Sequence, residues 1–104
     1  MDPLLVKHAV AAPSAGELAA DVRAGRTDPL TLVEQALTRL EACDVDVHAF
    51  VHVDASAALA VARNPPDGPL RGVPVAVKDL FDVAGQITRA GSLVPAGPAA
   101  TEDG

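Results

Sequence analysis

The stretch 73-VPVAVKDLFDVAG-85 decides how the rest of this sequence is read. Val73, Val75 and Val77 form an apolar, strand-like run that seeks burial, and it ends in Lys78 and Asp79. Two charges at the end of a core-seeking segment are costly unless they are exposed, paired or used in chemistry. Pro74 cannot donate to a sheet ladder, so the expected strand Val73–Leu80 begins irregularly or lies at an edge.

Upstream, Asn64-Pro65-Pro66-Asp67-Gly68-Pro69 is a cluster of turn formers and predicts a loop over 64–72. Before it, Asp54 caps an alanine-rich helix over 55–63. The segment 47-VHAFVHV-53 alternates, with Val47, Ala49, Val51 and Val53 on one side and His48, Phe50 and His52 on the other, which predicts a short half-buried strand. Farther back, Val33, Ala36, Leu37 and Leu40 recur at helical spacing behind Asp28-Pro29, a cap followed by proline at the first helical position. That helix is expected to end near Cys43-Asp44. Ser14 and Glu17 are spaced as a capping box and open an earlier helix that stops at Gly25.

Downstream of Gly85 the glycines and prolines come close together and predict a loop. Thr101-Glu-Asp-Gly104 has the composition of a helix start, because exposed N–H groups attract oxygen acceptors and negative charge. The chain is therefore expected to be one partial domain. It holds N-terminal helices over about 14–43, a strand and helix over about 47–63, the loop 64–72, and a lysine-bearing strand with its following loop over 73–104.

Composition narrows the function. At 104 residues and 49% hydrophobic content the chain can bury a core, but Phe50 and Phe81 are its only aromatics, so Ala, Val and Leu must fill it. A net charge of −6 and the lack of a stacking surface argue against nucleic-acid binding. Lone Cys43 suits a reducing compartment and a packing role. Met1–Ala12 is interrupted by Asp2 and Lys7, a poor secretory signal, and nothing reaches the ~18 apolar residues of a membrane span. The expectation is a cytoplasmic protein without membrane association.

Most chemical constellations fail on spacing. His48 and His52 on one strand would stand about 13 Å apart, too far to converge on one zinc ion. His8 has no detectable partner. Asp79 and Asp82, three apart on a strand, face opposite sides; a solvated loop role or pairing of Asp79 with an arginine fits them better than acid–base work. No phosphate-cradling glycine motif is present. Lys78 is different. The chain carries Lys7 and Lys78 against six arginines, and a lysine drawn into a low-dielectric setting can become a neutral amine base, which arginine cannot.

The run 68-GPLRGVPVAVKDLFDVAGQITRAGS-92 resembles the N-terminal part of the amidase signature family. Gly68-Pro-Leu70, Gly72-Val-Pro-Val75, Val77-Lys-Asp79, Asp82-Val83, Gly85, Thr88 and Gly91-Ser92 fit its pattern, and the upstream elements follow in the family's order. The resemblance implies an α/β fold, a mixed sheet wrapped by helices, of which this chain would hold the N-terminal portion. It implies amide hydrolysis, or ammonia transfer as in the glutamyl-tRNA amidotransferases, through a Ser–cis-Ser–Lys triad without cofactor or metal. Lys78 matches the triad's buried general base.

Both serines of that triad lie, in the family, in a later Gly/Ser-rich stretch resembling GGSSGGS, which is not found here. The chain's own serines are Ser14, Ser56 and Ser92. The resemblance therefore implies an amino-terminal piece that is inactive alone. Its partners would be a small amide substrate in the complete parent, the missing C-terminal part or a second copy of itself. A non-catalytic interaction module is the alternative, with the amphipathic helix 29–43 as its docking surface.

Overall fold

A computed structural model describes residues 12–90 and 97–104. The chain falls into two compact units, Met1–Pro74 and Val75–Gly104. The predictions for Met1–Ala11, including Lys7 and His8, and for Ser92 lie outside the described residues.

The first unit is built from three helices: α1 (Ala15–Arg23), α2 (Pro29–Val47) and α3 (Ala55–Arg63). Each starts where a side-chain oxygen meets an otherwise unpaired backbone N–H. Ser14 Oγ accepts from Glu17 N–H at 3.1 Å, Asp28 Oδ1 from Thr31 N–H at 2.9 Å, and Asp54 Oδ1 from Ala57 N–H at 2.9 Å. The Thr31 hydroxyl adds a second bond to Asp28 at 3.0 Å. The Thr31 backbone bond and then its hydroxyl hold the Asp28 carboxyl below its ordinary pKa. Past α1, Gly25 takes the left-handed conformation at φ +75°, which ends the helix without steric cost.

Helices α2 and α3 pack together, and the buried apolar residues among those described are Ala19, Leu32, Val33 and Ala62. Two of these four are alanines, so close backbone approach takes the place of large side chains. Burial of Leu32 and Val33 contributes on the order of 1.5–3 kcal/mol each. Cys43 is half-buried on α2.

The strand expected over 47–53 does not form. Helix α2 runs on through Val47, and His48 caps it in the left-handed region at φ 54°. The Asp44 carboxylate then accepts from Ala49 N–H at 2.6 Å and Phe50 N–H at 3.3 Å, taking donors that a sheet partner would need. Alternation provides only one face of a strand. With no neighbouring strand among the described residues, Val51 stays 72% exposed.

The loop after α3 is a series of turns. Arg71 N–H bonds the Gly68 carbonyl at 3.2 Å, and Val73 N–H bonds that of Leu70 at 3.0 Å. Two contacts fix these turns on the helices. Arg23 Nη1 donates to the Pro69 carbonyl at 3.1 Å, and Gly72, at φ +82°, lies against the ring of Pro29. An ion pair between Arg71 and Asp67 at 3.4 Å is solvent-exposed and contributes little.

Candidate active-site segment around Lys78

The second unit carries the lysine. Residues 73–80 form no strand ladder; a strand needs a paired neighbour, and the described residues offer none. The apolar run ends instead in a tight reversal. The Lys78 carbonyl accepts from Leu80 N–H at 2.7 Å and from Phe81 N–H at 3.1 Å, closing a turn over Lys78–Phe81. The resemblance implies a buried lysine, but here the Lys78 side chain is exposed. The physical reason lies beside it: Val75 and Val77 are 68% and 56% exposed, so among the described residues no layer covers the segment that delivers the amine.

Around this turn, carboxylates do the fastening. Asp79 is half-buried, and its Oδ1 accepts from Arg89 N–H at 3.1 Å. Its Oδ2 is buried and accepts no hydrogen bond from the described residues. Asp82 Oδ1 accepts the Thr88 hydroxyl at 2.7 Å. A turn follows over Val83–Gln86, with Gly85 at φ +82° in the position that requires a positive angle.

The end of the chain closes on this turn. Gly85 N–H bonds the Ala100 carbonyl, Ala100 N–H bonds that of Gln86, and Gly104 N–H bonds that of Asp82, each at 2.8 Å. Asp103, expected to open a helix, instead accepts from Ala84 N–H at 2.9 Å. A carboxylate that can cap a helix can equally satisfy a free donor in a turn, and the turn is the nearer donor here.

The Amidase family pattern matches residues 31–104. This chain belongs to that family. The amidase-family chain is 42% identical over 89 residues to a glutamyl-tRNA(Gln) amidotransferase subunit of Streptomyces coelicolor (strain ATCC BAA-471 / A3(2) / M145), covering 78% of this chain and 18% of the relative. It is 45% identical over 92 residues to the corresponding subunit of Salinispora arenicola (strain CNS-205), covering 81% of this chain and 19% of the relative. A solved structure also matches, from a vestigial protein complex described as revealing the evolutionary origins of an s-triazine catabolic enzyme. It superposes with a TM-score of 0.77 at 33% identity, covering 88% of this chain and 22% of that one. The chain thus spans about a fifth of the length of the relatives it matches.

Against that family, the residues singled out from sequence separate clearly. Lys78 and Asp79 sit on the turn Lys78–Phe81, and Asp82 directly follows it. Ser14 caps α1 and Ser56 lies in the first turn of α3, so both serve helices. Asp79 pairs with the backbone N–H of Arg89 and not with a guanidinium. The anchoring roles of Thr88 and Asp103 escaped sequence reading; the Thr-Glu-Asp run signalled an acceptor but not which donor it would find. Among the described residues, no three His, Cys, Asp or Glu side chains converge as a metal-binding group. No helix among them is long and apolar enough to cross a membrane.

Proposed function

We propose that this amidase-family chain is the amino-terminal part of an amide hydrolase, and that Lys78 is the general base of a Ser–cis-Ser–Lys triad. The carrying observation is that Val77-Lys78-Asp79 lies in the specific motif 68–92, inside the matched residues 31–104. In this reading a deprotonated Lys78 amine takes a proton from the bridging serine, which takes one from the nucleophilic serine as that attacks the amide carbonyl. The apolar run before the lysine becomes a strand of the family's mixed sheet and covers the amine. Both serines and the oxyanion hole come from outside this chain. Without the hole, about 3–4 kcal/mol of transition-state stabilisation is absent, so the chain alone is silent. Ammonia transfer is the variant suggested by the amidotransferase relatives.

The test grafts this chain in place of the matching stretch of the Streptomyces coelicolor relative and follows ammonia release from carboxamides. Lys78→Ala and Lys78→Arg should each abolish it, the second because guanidinium stays charged. Full activity in the Arg variant would refute the neutral-base role.

A second reading, a non-catalytic interaction module, is favoured by Leu80 and Phe81, which are 62% and 61% exposed beside Val75 and Val77. A compact, cooperatively unfolding monomer or dimer would support it, and a disordered or aggregated chain would count against it.

A further inference from the structure

The carboxylate next to the lysine has a task that the proposed triad chemistry leaves unassigned. Asp79 is the first central residue of the Lys78–Phe81 turn, so its position and that of the lysine backbone are set together. Its side chain turns inward, unlike the exposed side chains of Lys78, Leu80 and Phe81 on either side. Oδ1 reaches ten residues ahead to the Arg89 N–H, and a parallel link joins Asp82 Oδ1 to the Thr88 hydroxyl. Two consecutive residues, Thr88 and Arg89, are thus tied to one acid inside the turn and one immediately after it.

We infer that Asp79 is the positioning residue for Lys78, holding the lysine-bearing turn to the 88–89 segment through its carboxylate–amide bond. This inference rests on the amide-hydrolase reading. A lysine side chain has four rotatable carbons, and its amine can be placed only as well as its backbone is fixed. The bond to a charged acceptor is of the stronger class and short in reach, so it fixes the backbone angles at the base of the side chain. What Asp79 supplies is an acceptor oxygen, and an amide oxygen in the same place can replace it. Glutamate, one carbon longer, would push the turn away.

Two measurements test this. In the full 104-residue chain, Asp79→Ala should raise hydrogen exchange at the Arg89 amide at least tenfold, while amides of α1–α3 keep their rates and Asp79→Asn stays near the original. Unchanged Arg89 exchange in the Ala variant would overturn the anchoring. In the grafted enzyme, Asp79→Ala should lower kcat at least tenfold with KM altered less than threefold, and Asp79→Asn should recover most of kcat. Loss of activity with Lys78→Ala but not with Asp79→Ala would overturn the positioning role alone. Activity that survives Lys78→Ala would sink the general-base reading of Lys78, and with it this role, leaving the exchange result to decide the anchoring itself.

Discussion

Replacing Gly72 with alanine should destabilise the first unit through two separable causes. At φ +82° any residue with a Cβ is strained, at a cost of about 1–2 kcal/mol. The added Cβ would also stand 2.6 Å from Pro29 Cγ and 3.0 Å from Pro29 Cβ, with Val22 Cγ1 at 3.5 Å. A pyrrolidine ring at the start of α2 cannot swing aside as a flexible side chain would, so relief requires moving the turn or the helix. Overpacking of this kind costs about 1–3 kcal/mol. The expected total of about 2–5 kcal/mol is a large share of the roughly 5–15 kcal/mol typical of a small domain. Gly25→Ala supplies the control. Gly25 is also left-handed, at φ +75°, but nothing lies within 4 Å of its added Cβ. It should therefore show the backbone cost alone, about 1–2 kcal/mol. Urea unfolding followed by far-ultraviolet circular dichroism measures both variants against the original chain. If Gly72→Ala proves no more destabilising than Gly25→Ala, the close contact with Pro29 is not holding the turn.

Other residues give further checks. Asp28, its carboxyl pKa lowered by the Thr31 backbone N–H and then the Thr31 hydroxyl, contributes stability that is complete above its unfolded value. That contribution is lost as pH falls through the lowered folded value. Thermal melts across the acidic range should show Asp28→Asn less acid-sensitive than the original, since asparagine caps without titrating. His48→Gly should raise the urea midpoint, because glycine adopts φ 54° freely and the substitution relieves about 1 kcal/mol of left-handed strain. A lower midpoint would mean that the histidine side chain adds more than its backbone costs.

The helices were legible because their signals are local. Ser14, Asp28 and Asp54 each bond an N–H three residues onward, which spacing alone foretells. The strands were not, because a strand is made by a neighbour. Val47 to Val53 alternates faithfully, yet Asp44 and a left-handed His48 extend and then close the helix over the start of that segment. At the candidate site, residue pattern singled out Lys78 but not its surroundings. The partners Arg89, Thr88 and Asp103 lie ten, six and nineteen residues from the groups they bond, beyond the reach of any local motif. Gly72 shows the same limit. Glycine in a turn is unremarkable in sequence, whereas its contact with Pro29 exists only after the chain has doubled back.

The exposed valines, leucine and phenylalanine of 75–81 also have a colloidal consequence. With so much oily surface facing water, the force available to hold copies of this molecule apart is mutual repulsion of their net charge of −6. That repulsion is borrowed from the solvent conditions: acid neutralises it and concentrated salt screens it. The same 104 residues should therefore behave as a dispersed protein in dilute neutral buffer and as a sticky one wherever that charge is silenced.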